Sequence, residues 1–358
     1  MIPLSLLDIK DISISNPLIH YYGKRDFNSI KKDPLVEIIS SQDQIKVVNS
    51  MSSPPIDILR LYDFVINDDY IEYFVRYVID LYRKIERETH PKDILLINVL
   101  RSGFFLTVLL RYIIYKYYQI KVPIIGITPN YIEHTNIEKF KKFINFYNKK
   151  EIYFIDGWIS TGVTYNIIRN FWQSFFPSQK FNYAVISNTA TLCDKKIIYS
   201  TDQDILIPWS MAFVDNIGLS NYFLHPSKNI ATSFYIPKDS RKLENIEAHY
   251  RKIVDKVLLD EPPRKEFFEQ NYYTNHISFN LRRLKKQLNI SEESDIKFGI
   301  NEIIKDFEKG STLKVFINPH IGALYLKIFK EYSKVYKIKL NFVEKLYVNN
   351  CYCVASRK

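Results

Sequence analysis

The chain has 358 residues, of which 46% are hydrophobic and 25% charged; this balance is typical of folded globular proteins and excludes a disordered chain. Three cysteines in this length exclude a framework of disulfide bonds. The formal net charge is +11, and residues 278–358 hold 16 Lys and Arg against 8 Asp and Glu. Because most of the positive excess lies in the last fifth of the chain, the sequence predicts a basic C-terminal unit with a polyanionic partner.

The start of the chain and its most apolar segment bear on localisation. The residues MIPLSLLDIK lack the basic start and apolar core of a signal peptide, so we expect a cytoplasmic protein. Residues 104–120 form the most apolar helix candidate, but Arg111 and Lys116 interrupt it. We therefore expect a helix of the protein core and no membrane partner.

From residue 67 onward, short apolar runs alternate with segments of helical periodicity, whereas residues 1–66 are interpreted as a lead-in packed on the core. The predicted order is helix 68–89, strand 93–100, helix 103–120, strand 122–127, helix 136–148, strand 152–155, a helix after Thr164, and strand 182–187. Such alternation predicts an α/β fold with a doubly wound parallel sheet.

The remaining segments predict a hood and a second domain. Polar residues 188–226 are interpreted as a hood over the site, with a strand at 204–208, and residues 246–259 as a helix. The predicted domains are 67–260, a linker at 261–276, and 277–358. Within the last domain the predicted order is helix 279–288, helix 295–309, strand 312–318, helix 322–336, and strands 338–343 and 351–356.

One stretch, EIYFIDGWISTGVTYNII at residues 151–168, has the strongest chemical meaning. An apolar strand ends at Asp156, and a turn of small and hydroxyl residues, 160–164, then opens a helix. Backbone N–H groups at such a turn converge where the helix dipole favours negative charge. Gly162 lacks a Cβ that would block a phosphate. The stretch therefore predicts an anion site at the carboxyl end of its strand.

A second turn of this kind is Arg101-Ser102-Gly103, which also follows an apolar strand and opens a helix. It precedes the Asp156 turn by about fifty residues, with one predicted strand and one predicted helix between them. Arg101 would supply positive charge there.

The apolar run, Asp156 and the Thr161–Thr164 loop resemble the phosphoribosyl-pyrophosphate (PRPP) signature of type I phosphoribosyltransferases. The resemblance implies that PRPP or a ribose 5-phosphate nucleotide binds, that pyrophosphate is displaced from C1 by an unknown acceptor, and that Mg²⁺ is the cofactor, associated with Asp156 only indirectly. It implies catalytic roles for Asp156 and Arg101. It implies PRPP binding by these two and by Ser102, Gly103, Gly157, Ser160, Thr161, Gly162, Val163 and Thr164.

The sequence departs from that signature at two positions. Gly157 stands where a second acid is usual, and Ser160 stands where several purine-salvage members have an Asp. These departures leave the acceptor open. They also leave open a non-catalytic sensor of PRPP or a nucleotide.

The order of parts is similar to that of a bacterial family that joins a phosphoribosyltransferase domain to a PELOTA-type RNA-binding domain. That family is associated with tellurite resistance and stress, and it also has the label StiP cysteine protease. The resemblance implies a small α/β PELOTA-like domain that binds RNA near the turn 319–322. The RNA-binding residues that it implies are Lys314, His320, Lys327, Lys330 and Lys334.

Structural explanations stay open for every motif, as an ordinary capped helix, a solvated basic face or a hood residue. The polar candidates in the segment between the two turns and in the hood are Thr128, Glu133, His134, Asp215, Asn216 and Ser220. Cysteine protease chemistry is the second alternative function. None of Cys193, Cys351 and Cys353 stands in a sequence context that would lower the pKa of a thiol.

Overall fold

The computed structural model describes eighteen segments of the chain with gaps between them. They are residues 12–14, 46–49, 68–99, 102–127, 129, 132, 137–190, 192, 194–207, 213–214, 217–225, 230–235, 252–257, 277–290, 296–308, 313–344, 346 and 353–357. Arg101, Cys193 and Cys351 lie outside these segments, as do Thr128, Glu133, His134, Asp215 and Asn216.

The helices and strands follow one another along these segments. In chain order they are β1 (Ile12–Ile14), β2 (Lys46–Asn49), α1 (Asp68–Glu88), β3 (Ile94–Val99), α2 (Gly103–Tyr118), β4 (Ile124–Ile127), α3 (Ile137–Tyr147), β5 (Glu151–Ile159), α4 (Val163–Phe175), β6 (Asn182–Asn188), β7 (Ile197–Thr201), β8 (Phe213–Val214), β9 (Ile217–His225), β10 (Ile230–Tyr235), α5 (Ile277–Leu288), β11 (Ile296–Phe298), α6 (Gly299–Glu308), β12 (Leu313–Ile317), α7 (Ala323–Tyr336), β13 (Leu340–Phe342) and β14 (Cys353–Arg357).

Six strands form the central sheet in the order β1-β4-β3-β5-β6-β7, and every neighbouring pair is parallel. The chain steps from β3 outward to β4, then returns past β3 to β5 and continues outward in the opposite direction. The strand order therefore reverses between β3 and β5. At such a reversal the connections diverge to opposite sides and leave a crevice at the carboxyl ends of the strands.

Helices cover both faces of this sheet, which explains why its central strands are mostly apolar and buried. All six residues of β3 are buried, as a strand covered on both faces requires. Residues of α1 and α2 belong to one hydrophobic cluster, and residues of α3 and α4 belong to a second. The predicted α/β fold with a doubly wound parallel sheet is thus confirmed.

Two further sheets complete the described part of the chain. Strands β2, β10, β9 and β8 form one, in which β9 and β10 are antiparallel. Strands β11, β14, β12 and β13 form the other, which combines parallel and antiparallel pairs. Together with α5, α6 and α7 this last sheet forms what we call the C-terminal unit. Its likeness to a PELOTA domain stays a prediction, as do the domain boundaries.

Most predicted elements agree with the structure within a few residues, but three differ. The strand that was expected to end at Ile155 continues to Ile159, because Trp158 and Ile159 pair with Ser187 and Asn188 of β6. Residues 204–207 form no strand, and the last strand of the sheet is instead β7. The helix predicted over 295–309 begins only at Gly299, after the short strand β11.

No helix within the described segments is long and apolar enough to cross a membrane.

Candidate functional site

The two predicted turns meet at the point where the strand order reverses. Ser102, at the start of α2, donates a hydrogen bond through Oγ to Oδ1 of Asp156 on β5. Gly103 packs directly on β5, since a Cβ at this glycine would lie 1.9 Å from the carbonyl oxygen of Ile155. The start of α2 therefore lies against β5.

Asp156 is buried, with 5% of its surface exposed, and its carboxylate is bound by protein groups. The backbone N–H of Gly157 donates to Oδ1 at 2.7 Å, and the Tyr183 hydroxyl donates to Oδ2 at 2.7 Å. Burial, followed by the charge of Asp156, raises the pKa of Tyr183 well above its ordinary value. Tyr183 thus stays a neutral donor, and Asp156 ties β5, β6 and α2 together.

Gly157 occupies the position where the phosphoribosyltransferase signature has a second acid, and the structure shows why glycine is needed. A Cβ here would lie 3.0 Å from Cγ2 of Ile207 and 3.0 Å from Cβ of Ser102. Both distances are tighter than ordinary van der Waals contacts. An acidic side chain at this position would have to displace Ile207 or the start of α2.

The turn after β5 has the backbone geometry that its sequence predicts. Gly162 has φ 81° and precedes the first residue of α4, Val163. The side chain of Thr161 is exposed, and no acidic residue occupies the first turn of the helix. The first N–H groups of α4 have no side-chain cap from Gly162, so this helix start favours an anion.

The structural reason for Gly162 differs from the one expected. A Cβ at this position would lie 2.8 Å from Cδ1 of Leu192, and the positive φ also disfavours other residues. The positive φ is therefore the main structural reason for glycine here, because the end of the Leu192 side chain could move aside.

The residues that anchor α4 lie just beyond this turn. The Tyr165 hydroxyl donates to Oδ2 of Asp194 at 2.6 Å, and Arg169 lies 3.2 Å from the same oxygen. Burial acts to raise the pKa of Asp194, but the hydrogen bonds from Tyr165 and the Lys196 amide, with the charge of Arg169, lower it overall. These contacts hold the first turn of α4 in place.

Asn98 on β3 is a residue that sequence reasoning missed. It is completely buried, and among the described residues neither its Oδ1 nor its Nδ2 has a hydrogen-bond partner. It pairs along the sheet with Gly126 on β4 and Ile155 on β5, near the carboxyl ends of these strands. A buried amide without partners costs about 1–3 kcal/mol. The only signal in the sequence was an Asn inside the apolar run 94–99.

The C-terminal unit lies against this same edge of the sheet. The carboxylate of Asp204 accepts hydrogen bonds from the Ile300 amide at 3.0 and 3.1 Å. Asn301 donates through Nδ2 to the Ile205 carbonyl at 2.7 Å and accepts at Oδ1 from the Ile207 amide at 2.7 Å. We call these contacts between segment 204–207 and α6 the Asp204–Asn301 clamp.

A further contact joins α6 to β5 itself. Nε1 of Trp158 donates to Oε1 of Glu302 at 3.3 Å. Apolar residues of the C-terminal unit, among them Ile300 and Ile303, share one hydrophobic cluster with Ile205 and Leu206. No short motif marks these contacts, because they join residues 94 to 144 positions apart in the chain.

The lysines implied in RNA binding lie on the surface of the C-terminal unit. Lys327, Lys330, Lys334 and Lys337 are exposed at spacings that place them on one side of α7. Lys314 on β12 and His320 in the turn before α7 are also exposed. Lys334 pairs with Glu331 at 3.2 Å. Aromatic side chains often stack on unpaired RNA bases. Tyr332 on α7 cannot do so, because it is only 2% exposed.

The described residues offer few candidate side chains for metal binding or for cysteine catalysis. No group of three or more His, Cys, Asp or Glu side chains suited to hold a metal ion occurs among them. Cys353 is buried, and its Sγ contacts Oδ2 of Asp204 at 3.8 Å. This thiol has no access to a peptide substrate.

The fold and the site define a doubly wound α/β protein whose strand order reverses between β3 and β5, with Asp156 and the start of α2 at that point. The family model described as tellurite-like stress resistance cysteine protease StiP matches residues 42–258. The chain belongs to this StiP family.

Solved structures that match this chain include a phosphoribosyltransferase. The xanthine-guanine-hypoxanthine phosphoribosyltransferase of Helicobacter pylori is 17% identical over 38% of this chain and 84% of that one, with a TM-score of 0.26. A superposition this loose supports no conclusion about activity. No curated protein matches the chain significantly.

Proposed function

We propose that this StiP-family protein binds PRPP or a ribose 5-phosphate nucleotide in a crevice at the carboxyl ends of β3 and β5. The reversal of strand order between these strands carries the proposal, because ligands of open α/β sheets bind at such a point. The uncapped start of α4 would take the 5′-phosphate, and the resemblance of residues 156–164 to the PRPP signature supports that ligand.

The reaction that this ligand supports is transfer of the phosphoribosyl group. The bond from C1 to pyrophosphate breaks with its electron pair on the leaving group, and a bond from the acceptor to C1 forms. Asp156, with both oxygens bound by protein groups, would act mainly by positioning β5 and the start of α2. Arg101, outside the described residues, would stabilise the leaving group by its charge.

Mg²⁺ fits this proposal as an ion that arrives with the ligand. Magnesium usually binds one or two carboxylates together with substrate phosphates, and the described residues form no larger preformed cluster. When bound, it would neutralise charge on the leaving pyrophosphate.

The phosphate site is tested by Val163→Glu. Val163 is 59% exposed in the first turn of α4, where a carboxylate interacts favourably with the helix dipole. We expect unchanged or slightly higher thermal stability, but loss of PRPP binding through charge repulsion, measured by titration calorimetry with Mg²⁺. The parent should gain about 2.7 kcal/mol of stability at a hundredfold excess of ligand over Kd.

Asn170→Asp provides the matched control, because it adds the same charge on an exposed position of α4 about two turns away. Its affinity should stay within about twofold of the parent. Equal binding by Val163→Glu and the parent would refute the phosphate site at this turn. Release of pyrophosphate with nucleobases distinguishes an enzyme from a sensor, since a sensor binds PRPP without releasing it.

Peptide hydrolysis, which the family description names, has a limited set of candidates in this chain. Burial of Cys353 removes it as a nucleophile. A protease mechanism would therefore depend on Cys193 or Cys351, neither of which is among the described residues.

A second proposed activity is RNA binding by the exposed lysines of α7. Replacing Lys327, Lys330 and Lys334 by Glu should weaken binding to all sequences alike, because phosphate contacts carry no sequence information. The parent's log affinity for single strands should fall with log salt by about 0.7 per phosphate contact. Filter binding with the full chain over a salt series measures both effects.

A control for charge alone is available among the lysines of the part of the chain that contains the central sheet. Replacing Lys141, Lys149 and Lys180 by Glu changes the net charge equally but leaves α7 intact. A similar loss of affinity in both triple variants would show that binding follows net charge and not the α7 surface. The full chain is used because the C-terminal unit shares its hydrophobic cluster with the part of the chain that contains the central sheet, which we call the sheet unit.

A further inference from the structure

The described part of β5 presents no open carboxylate to the crevice. The carboxylate of Asp156 is buried and accepts hydrogen bonds at both oxygens from Ser102, Gly157 and Tyr183. A larger side chain at position 157 would have to displace Ile207 or Ser102, which pack against it. A sugar ligand at this edge would need another acceptor for its hydroxyl groups.

α6 of the C-terminal unit brings a carboxylate to this edge. Glu302 is half-buried, and its Oε1 accepts the hydrogen bond from Nε1 of Trp158 at 3.3 Å. Trp158 lies on β5 two residues before the turn at Ser160, so this contact places Glu302 beside the strand that leads into the phosphate turn.

The position of Glu302 is held firmly by its neighbours in α6. The preceding residues, Ile300 and Asn301, make the buried hydrogen bonds of the Asp204–Asn301 clamp. Ile303, which follows Glu302, is completely buried in the shared hydrophobic cluster. Because the residues on both sides of Glu302 are fixed by these contacts, its backbone position is preorganised for binding.

We propose that Glu302 is a ligand-binding residue and that its carboxylate accepts hydrogen bonds from the hydroxyl groups of a phosphorylated sugar in the crevice. The site is then composite, with its phosphate turn on the sheet unit and its hydroxyl acceptor on the C-terminal unit. This inference rests on the proposed function. It also gives the C-terminal unit a role at the site that is independent of RNA.

The test is Glu302→Gln in the full chain, with ribose 5-phosphate and inorganic phosphate as probes in titration calorimetry. Glutamine keeps the length of the side chain and an acceptor for Trp158, but it loses the charge that strengthens hydrogen bonds from hydroxyls. We expect about tenfold weaker binding of ribose 5-phosphate. Inorganic phosphate, which has no sugar hydroxyls, should bind within about twofold of the parent.

Glu331→Gln on α7 is the matched control, since it removes the same charge from an exposed position of the C-terminal unit. It should leave both affinities unchanged. Glu302 also lies in the first turn of α6, where its charge stabilises the helix. Loss of that stabilisation would lower the melting temperature without distinguishing the two probes, so selective loss of ribose 5-phosphate binding supports the proposal.

The outcomes separate this inference from the function on which it rests. If the parent binds ribose 5-phosphate and Glu302→Gln binds it equally well, the role of Glu302 is refuted and the proposed function stands. An equal loss for both probes also refutes it, since the carboxylate would then act on the fold or on the phosphate. A parent that binds neither probe, with or without Mg²⁺, refutes both.

Discussion

Replacing Gly103 by alanine should destabilise the protein by about 3 kcal/mol or more. The new Cβ would lie 1.9 Å from the carbonyl oxygen of Ile155 and 3.3 Å from Cα of Asp156. Both are backbone atoms of a strand inside the sheet, so they cannot move aside as a flexible side chain could. α2 would have to shift away from β5, and this cost outweighs the gain of about 1 kcal/mol that alanine brings to a helix.

The same shift should remove ligand binding, because it would separate Ser102 from Asp156. Chemical denaturation followed by circular dichroism measures the loss of stability, and calorimetry on the folded fraction measures binding. Gly322→Ala is the control: its Cβ would meet only Cδ2 of Tyr325 at 3.8 Å, so its cost should stay below about 1 kcal/mol. Equal stability of the Gly103 variant and the parent would contradict the packing of α2 on β5.

Replacing Asn301 by alanine should cost about 2–5 kcal/mol of stability. The substitution leaves the Ile205 carbonyl and the Ile207 amide buried without their side-chain partner, and each such group costs about 1–3 kcal/mol. Water cannot readily replace the side chain, because Asn301 is only 3% exposed. The C-terminal unit should consequently separate from the sheet unit at a lower temperature.

Scanning calorimetry should show this separation as a change from one unfolding transition in the parent to two in the variant. Asn341→Ala is the control within the same unit. Its side chain donates to the Val315 and Lys339 carbonyls at 3.2 and 3.4 Å but is not fully buried, so water can replace it at a cost below about 1 kcal/mol. Two transitions already present in the parent would show that the clamp does not couple the units.

These two sites link stability to the candidate crevice from opposite sides. Gly103 allows the start of α2 to approach β5, and Asn301 holds segment 204–207, whose Ile207 packs against Gly157. A ligand in the crevice would contact elements that both interactions position. Binding and attachment of the C-terminal unit are therefore expected to be coupled, since each depends on the same wall of the site.

Local sequence patterns were sufficient to predict the parallel sheet, its flanking helices and the two turns that follow strands. These features follow from local patterns: apolar runs of strand length, helical periodicity, and small residues such as Gly103 and Gly162 at the turns. Right-handed crossovers restrict how such units connect, but the sequence did not predict a strand order, and the adjacency of β3 and β5 comes from the structure. The implied ligand depended on the resemblance of residues 156–164 to a known signature.

The contacts of the side chains at that edge depend on long-range packing and could not be predicted from the sequence. Pairing with β6 extends β5 to Ile159, and the hydroxyl of Tyr183 donates a hydrogen bond to the buried Asp156 carboxylate. The clamp and the Trp158–Glu302 contact join residues about 100 positions or more apart, and no local periodicity records such pairs. Their geometry depends on how two separately patterned units pack, because burial and hydrogen bonding there are properties of the folded interface and not of either segment.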